Sequence, residues 1–301
     1  MEERPDPEPG KGELLVRVRA AGVNGADMLQ RKGAYPAPPG SPPDIPGLEL
    51  AGEVVALGPG ARRFEEDDRV MAVVGGGGQA ELAIVHERAA MPVPEPLDWP
   101  AAGGLPEVFT TAHDALFSQA GLRPGEHLLV HGAAGGVGTA AVQLGRAAGA
   151  RVTATVRREE LRPGVEKLGA RAIDPEGFED EGPFDVVLEL VGASNLTGNL
   201  SALTTGGRIA VIGVGGTGPK GEINLHMLMH KRARIHGSTL RARPLEEKAA
   251  AMRLVEKEVL PNFENGTLSV PVADTFELDR VEDAYDRFTS GGKLGKVVLL
   301  P

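Results

Sequence analysis

A glycine-rich turn followed by two adjacent arginines is the part of this sequence best suited to bind a charged ligand. The turn is AAGGVG, residues 133–138, and the arginines are Arg157 and Arg158. Glycines let the backbone approach a diphosphate, and the free N–H groups at a helix start bind its oxygen atoms. Guanidinium groups bind a phosphate through two parallel hydrogen bonds. Together these features predict a dinucleotide site.

The elements around the turn form a strand–helix–strand unit. The apolar stretch at residues 128–130 leads into the turn, and RVTATV, residues 151–156, is the second strand. Between them, apolar residues recur at helical spacing up to Gly149, which closes the helix. The alternative is a tight turn without a ligand. In the dinucleotide interpretation, the diphosphate is bound by Ala134, Gly135, Gly136, Val137 and Gly138.

The arginine pair decides which dinucleotide is expected. Enzymes that use NAD usually carry Asp or Glu at the end of the second strand, where it binds the ribose 2′-hydroxyl group. Here the strand ends in Arg157 and Arg158, and no carboxylate occurs before Glu159. The pattern therefore predicts NADPH rather than NADH. The alternative is a pair of solvated surface arginines.

Composition excludes several classes of function. The net charge of −10 argues against a nucleic-acid-binding protein. No apolar stretch is long enough to span a membrane, and the start, MEERPDPEPG, lacks the apolar region of a signal peptide. The chain has no cysteine, which excludes disulfides, thiolate zinc sites and a cysteine nucleophile. We expect a cytoplasmic protein.

Hydrophobic periodicity predicts an α/β protein with two domains. The first hundred residues read as antiparallel strands, and apolar strands alternate with helices after Glu107. Beyond Arg243, two helices and a last strand return to the first region. We therefore predict a Rossmann dinucleotide-binding domain with a doubly wound parallel sheet at residues 107–240. It is inserted in a β-rich catalytic domain formed by residues 1–106 and 241–301.

Several motifs in combination resemble the medium-chain dehydrogenase/reductase superfamily, most closely its zinc-independent quinone oxidoreductases, the zeta-crystallin-like group. They are VNGADMLQRKGAYPAPPG, LPEVFTTAHDALF, HGAAGGVG, INLHMLMHKRARIHGSTLRAR and GGKLGKVVLLP. The resemblance implies a GroES-like fold for the β-rich domain and a homodimer. It also implies hydride transfer from NADPH to a quinone.

The resemblance further implies that no metal takes part. Zinc-dependent members carry a ligating Cys and a Gly-His-Glu motif, whereas this chain has Asn24 near the Cys position and Leu48 in place of the His. Leu cannot bind zinc. His226 and His230 are four residues apart, but no third ligand accompanies them. The chain also has Leu161 where the family often has a Lys, so the NADPH prediction rests on the two arginines alone.

The resemblance places three residues, Asn24, Tyr35 and Thr111, in the nicotinamide and substrate cleft. Each has a structural alternative: Asn24 caps a helix, Tyr35 packs in a proline-rich loop, and Thr111 bonds to its own helix backbone. The carboxyl ends of the parallel strands should face the cofactor, with plain turn residues as the alternative. These strand-end residues are Val191, Gly192, Gly213, Val214, Thr239 and Leu240.

Other functions stay open on the sequence alone. An NADPH-dependent reductase of α,β-unsaturated carbonyl compounds or enoyl thioesters would share the same cofactor unit. A protein of a different class would bind NADPH, or RNA, without catalysis, although the net charge of −10 counts against RNA. Arg241 and Arg243 either supply positive charge near phosphates or are solvated.

Overall fold

The structure, a computed structural model, describes residues 2–301. It divides into two compact units. The first comprises the chain up to Thr110 with Leu240–Gly291 and Lys296–Pro301, and the second comprises Thr111–Thr239 with Gly292–Gly295. The unit that contains the glycine-rich turn therefore also includes a four-residue segment from near the C-terminus.

The described residues form strands in both units. In chain order these are β1 Glu13–Gly22, β2 Glu49–Leu57, β3 Arg69–Val73, β4 Leu82–His86, β5 Ala90–Pro92, β6 His127–Val130, β7 Arg151–Thr155, β8 Arg171–Ile173, β9 Phe184–Glu189, β10 Leu203–Val211, β11 Arg234–Gly237, β12 Val272–Glu277 and β13 Lys296–Leu300.

Helices lie between these strands. They are α1 Gly25–Arg31, α2 Trp99–Gly103, α3 Pro106–His113, α4 Gly136–Ala147, α5 Arg162–Leu168, α6 Leu196–Ala202, α7 Leu225–Lys231, α8 Leu245–Glu258, α9 Pro261–Glu264 and α10 Val281–Thr289. Within residues 2–301, none of them combines the length and apolar character needed to cross a bilayer.

The sheet of the first unit is mainly antiparallel and is built on β1. The order is β12-β13-β1-β2-β3-β5, and β4 also pairs with β1. In β1 every second residue from Leu14 to Ala20 is buried, as expected of a strand with one face in the core. Val16 pairs with Val54 of β2, and both belong to the main apolar cluster of this unit.

The sheet of the second unit is parallel and doubly wound. Its order is β11-β10-β9-β6-β7-β8, so the direction of winding reverses between β6 and β9. Leu128–Val130 and Val186–Leu188 are fully buried, which explains why these strands are apolar without alternation. The predicted fold class, a doubly wound parallel sheet inserted in a β-rich fold, is confirmed.

Local chemistry accounts for the departures from the predicted elements. The first of the two helices expected beyond Arg243 is split into α8 and α9, since Pro261 has no N–H group and begins a new helix. Helix α3 begins at Pro106, and the chain continues after it from Asp114 to Gln119 with π-helical bonding. The sequence does not predict strands β5, β8 and β12, because their sequences are short or mixed and the neighbouring strands determine them.

Candidate functional site

The glycine-rich turn joins β6 to α4 at the carboxyl edge of the parallel sheet. A side chain at Gly138 would bring its Cβ to 2.6 Å from both the Ala133 Cα and the Gly132 carbonyl oxygen. Residue 138 must therefore be glycine for α4 to begin this close to the turn. The winding reversal between β6 and β9, where open α/β sheets bind ligands, lies at the same edge.

The start of α4 presents unbonded amides to this edge. Gly135 is the residue before the helix, with φ −77° and ψ 168°, and it has no side chain to cap the first turn. The N–H groups of Gly136, Val137 and Gly138 have no acceptor within the helix. An anion such as a diphosphate would satisfy them, so the turn fits the dinucleotide that the sequence predicts.

The segment Gly292–Gly295 lies against this turn and was missed by the sequence analysis. The Gly295 amide donates to the Ala134 carbonyl oxygen over 2.8 Å, and Gly295 forms a parallel bridge with Gly135. A Cβ on Gly164 would lie 2.6 Å from the Leu294 side chain, so that side chain packs on α5. The only sequence signal was the glycine spacing in GGKLG.

The two arginines follow β7 on the same edge. Arg157 is exposed, and Arg158 is 47% exposed with its Nη1 at 3.5 Å from Glu160 Oε1. A Cβ on Gly292 would lie 2.8 Å from the Arg158 guanidinium carbon, so Gly292 leaves room for that group. Both positive charges are therefore at the surface, where a ribose phosphate can reach them.

A buried polar network lies behind the turn, and sequence reasoning missed it as well. His131 Nε2 lies 2.7 Å from Asn199 Oδ1, and Asn199 Nδ2 donates to Glu189 Oε2 over 2.7 Å. His131 Nδ1 bonds to the Thr155 hydroxyl group over 3.0 Å. Burial lowers the pKa of His131, which opposes its protonation. The available signals were a His and a Glu in otherwise apolar strands.

Glu189 also orients the predicted strand-end residues. Its Oε1 accepts hydrogen bonds from the amides of Val191 and Gly192 over 2.7 and 2.9 Å, and its carbonyl oxygen accepts from the Gly213 amide. A Cβ on Gly213 would lie 2.7 Å from the Leu190 carbonyl oxygen, so close backbone packing alone requires glycine there. Val214 is exposed.

The remaining strand-end residues, Thr239 and Leu240, follow β11. Thr239 belongs to the second unit, whereas Leu240 belongs to the first. The Leu240 side chain is buried.

In the first unit, Asn24 joins a buried ion pair. Lys296 Nζ lies 2.6 Å from Glu49 Oε1, and both side chains are almost completely buried. Asn24 donates from Nδ2 to Glu49 Oε1 and accepts from Lys296 at Oδ1, both over 2.8 Å. The side-chain Nδ2 of Asn24 also donates to the Gly22 carbonyl oxygen over 3.3 Å. Asn24 is also the N-cap residue of α1, and Asp27 Oδ2 accepts from its backbone amide over 2.8 Å, as in a capping box.

Two further carboxyl groups are buried near this pair. Asp27 accepts hydrogen bonds from Asn24, Gly47 and Gln79, and burial raises its pKa to about 6. Burial, followed by the charge of Glu49, raises the pKa of Glu107 to about 8. Glu107 Oε2 is buried and has no hydrogen-bond partner among the described residues.

Tyr35 lies on a buried arginine. The Arg241 guanidinium carbon is 4.9 Å from the centre of the Tyr35 ring, and Nη1 donates to the Tyr35 carbonyl oxygen over 2.9 Å. Nε donates to the Gly75 carbonyl oxygen, and Nη2 to Gln30. Arg241 is 2% exposed, so it is not solvated.

Thr111 has a buried hydroxyl oxygen with no hydrogen-bond partner among the described residues. Its alternative role, a bond to its own helix backbone, is therefore not realised. In the part of the chain that the structure describes, no group of three or more His, Cys, Asp or Glu residues could hold a metal ion.

Two family models match this chain. A family model described as "Alcohol dehydrogenase GroES-like domain" matches residues 10–95, and one described as "Zinc-binding dehydrogenase" matches residues 136–257. Both names describe the families, and neither shows that this chain binds a metal ion.

Similar proteins cover almost the whole chain. The quinone oxidoreductases of Rattus norvegicus and Homo sapiens are each 33% identical to it, over 98% of this chain and 91% of theirs. Among solved structures, the quinone oxidoreductase of Thermus thermophilus, also solved with NADPH, is 35% identical with a TM-score of 0.86. That match covers 100% of this chain and 95% of the other.

Proposed function

The chain belongs to the medium-chain dehydrogenase/reductase superfamily, within its quinone oxidoreductases, and we propose that it transfers a hydride from NADPH to a quinone without a metal ion. It is an NAD(P)-dependent oxidoreductase. The observation that carries the proposal is the turn at Gly135–Gly138, with unbonded helix amides beside two exposed arginines.

The residues of the second unit hold and select the dinucleotide. The amides of Gly136, Val137 and Gly138 bind the diphosphate, and Arg157 and Arg158 bind the 2′-phosphate. The nicotinamide end of the dinucleotide site is lined by the strand-end residues, Val191, Gly192, Gly213, Val214, Thr239 and Leu240. When bound, NADPH supplies a hydride and no covalent intermediate with the protein is needed.

The residues proposed for the substrate and nicotinamide cleft have different roles. The Tyr35 hydroxyl group and the otherwise unpaired Thr111 hydroxyl group donate hydrogen bonds toward the acceptor and the nicotinamide. Asn24 has both amide hydrogens engaged by Glu49 and Gly22. We therefore assign Asn24 to positioning Glu49 and Lys296 rather than to holding the substrate.

The assignment is tested by assaying NADPH oxidation with 1,4-benzoquinone and phenanthrenequinone, with and without EDTA. We expect turnover that EDTA does not change. Turnover confined to an enal or an enoyl thioester would instead support reduction of activated alkenes. NADPH binding without turnover of any acceptor would support a non-catalytic binding protein, and loss of activity that zinc restores would contradict the metal-free mechanism.

We also propose that the protein is a cytoplasmic homodimer. The strand β11 ends the six-stranded sheet, and the neighbouring helix α7 exposes Leu225 and Met229 by 62% and 74%. An unpaired edge beside exposed apolar side chains favours pairing with a second copy. Light scattering of the wild type and of Met229→Glu tests this: the wild type should have the mass of a dimer, and the variant should dissociate.

A further inference from the structure

The segment Gly292–Gly295 belongs to the second unit and links the two places where the phosphates of the dinucleotide are proposed to bind. At one end, the Gly295 amide donates to the Ala134 carbonyl oxygen of the glycine-rich turn over 2.8 Å. At the other end, a Cβ on Gly292 would lie 2.8 Å from the guanidinium carbon of Arg158. One short segment therefore runs from the diphosphate turn to an arginine proposed to bind the 2′-phosphate.

The length of this segment matches the nucleotide. The contacts at Gly292 and Gly295 are three residues apart, and three residues span at most about 11 Å when fully extended. In NADPH both phosphate groups are attached to the adenosine ribose, the diphosphate at C5′ and the single phosphate at C2′. A nucleotide whose diphosphate lies at the turn therefore has its 2′-phosphate within reach of this segment.

Contacts on both sides of the segment fix its path. Gly295 forms a parallel bridge with the turn, and the Leu294 side chain packs on α5, where a Cβ on Gly164 would lie 2.6 Å from it. Gly292 has φ +63°, a left-handed conformation that residues with a side chain rarely adopt. Lys293, the charged residue of this segment, is therefore held between anchored neighbours.

Lys293 brings a further cation close to Arg158. Its Cα is about 3.8 Å from that of Gly292, as across any trans peptide, and Gly292 lies against the Arg158 guanidinium group. The lysine side chain is a flexible four-carbon stem that carries three donors. Because Lys293 is half-buried, water and salt screen its charge less than they screen an exposed charge.

The arginine pair alone does not make this region positive. Glu159 and Glu160 follow the two arginines directly, so these four residues have no net charge. Glu160 Oε1 lies 3.5 Å from Arg158 Nη1, and the next basic residue, Arg162, is paired with Asp174 over 2.5 Å. A phosphate monoester carries a charge of about −1.5 to −2 at pH 7. Binding it here therefore favours a further cation from another segment of the chain.

We propose that Lys293 binds the 2′-phosphate of NADPH together with Arg157 and Arg158, an inference that rests on the proposed NADPH binding. The Lys293 ammonium group donates to the phosphate oxygens. NADH has a hydroxyl group in place of this phosphate, so the contact favours NADPH. Lys293 thus selects the nucleotide and takes no part in hydride transfer.

Equilibrium titration of nucleotide fluorescence tests this assignment without turnover. Lys293→Gln removes the charge, and the matched control Lys257→Gln removes that of an exposed lysine on α8 in the first unit. Loss of a charge-assisted hydrogen bond should increase the Kd for NADPH by about 10-fold or more in K293Q. The Kd for NADH should not change, and K257Q should bind both nucleotides as the wild type does.

Two further variants separate charge from packing. Lys293→Arg should keep most of the preference for NADPH, because a guanidinium group also binds phosphate. The double variant R157A/R158A retains Lys293, so it should still bind NADPH more tightly than NADH. That comparison decides the matter if K293Q does not fold: equal Kd values for the two nucleotides in R157A/R158A would overturn the role of Lys293.

The outcomes separate this inference from the proposed function. An unchanged Kd for NADPH in K293Q overturns the role of Lys293 alone, and so does an equal increase for NADPH and NADH, which would place the lysine at the diphosphate or in the fold. A wild type that prefers NADPH but reduces no quinone contradicts the proposed reaction alone. A wild type that binds neither nucleotide overturns both proposals.

Discussion

The guanidinium group of Arg241 lies beneath the ring of Tyr35, with 4.9 Å between the guanidinium carbon and the ring centre, and holds the Tyr35 carbonyl oxygen by a 2.9 Å hydrogen bond. The same group bonds to Gly75 and Gln30. One buried cation thus joins its own segment to two others that are distant in sequence, residues 30–35 and Gly75. Tyr35, which is proposed to contact the quinone, is thus held at both its backbone and its ring.

Replacing Arg241 with Lys should loosen Tyr35 without removing the positive charge. An ammonium group cannot donate to three carbonyl oxygens in one plane or stack on a ring as guanidinium does. The unsatisfied groups left behind should cost about 2 kcal/mol. We expect a lower melting temperature, an increased KM for the quinone and an unchanged Kd for NADPH.

The matched control is Arg17→Lys on the exposed face of β1, which should leave these values unchanged. Steady-state kinetics, nucleotide titration and thermal unfolding check the comparison. A wild-type quinone KM in R241K would show that Arg241 does not position Tyr35.

Gly138→Ala should weaken dinucleotide binding. The added methyl group would lie 2.6 Å from Ala133 Cα and from the Gly132 carbonyl oxygen, both of them backbone atoms. Relieving this overlap requires a shift of the turn or of α4, at a cost of about 1–3 kcal/mol. We expect the Kd for NADPH to increase by about 10-fold or more, as measured by titration of nucleotide fluorescence.

Gly25→Ala is the control, since a Cβ at residue 25 meets nothing within 4 Å. It should bind NADPH as the wild type does. Equal affinities for G138A and G25A would argue that the turn does not contact the nucleotide.

The doubly wound fold was predictable because apolar strands and the glycine-rich turn are local signals. Strands β6 and β9 are buried on both faces, and their sequences are apolar without the alternation of a half-exposed strand. The buried acids were not predictable, because Asp27, Glu49 and Glu107 are far apart in sequence and only the tertiary fold places them in one cluster. Nothing local distinguishes them from surface acids.

The position of Arg241, a buried base, was likewise not predictable from the sequence. In the sequence TLRARP it is a basic residue among others, with either a phosphate or water as its expected partner. The structure buries it in the first unit against the Tyr35 and Gly75 carbonyl oxygens. Gly292–Gly295 was likewise assigned to the domain of its sequence neighbours, although it contacts the turn through Gly295.

The double substitution Arg157→Ala with Arg158→Ala should change the choice of nucleotide. Each charge-assisted hydrogen bond to the 2′-phosphate contributes about 1.5–3 kcal/mol, so KM for NADPH should increase at least about 10-fold. KM for NADH should stay nearly constant, because NADH lacks that phosphate group. Steady-state kinetics with both nucleotides measures the two effects.

Arg171→Ala provides the control, because Arg171 is an exposed arginine paired with Glu181. It should leave both KM values as they are in the wild type. Equal increases for NADPH and NADH in the double variant would reject the 2′-phosphate assignment.

The His131 network should make the protein less stable in mild acid. Burial lowers the pKa of His131, opposed by the charge of Glu189, whereas the unfolded residue titrates near its ordinary value of about 6.5. Below that pH the unfolded chain binds more protons than the folded one, so stability falls as the pH falls. His131→Gln should therefore reduce the slope of melting temperature against pH between about pH 5 and 7.

His127 and His236 also have pKa values lowered mainly by burial, so part of the slope should remain in that variant. His226→Gln, at an exposed position on α7, should keep the full slope. Differential scanning fluorimetry over this pH range measures all three proteins. If H131Q keeps the wild-type slope, protonation of His131 does not limit stability in acid, and its contacts with Asn199 and Thr155 only organise the region behind the glycine-rich turn.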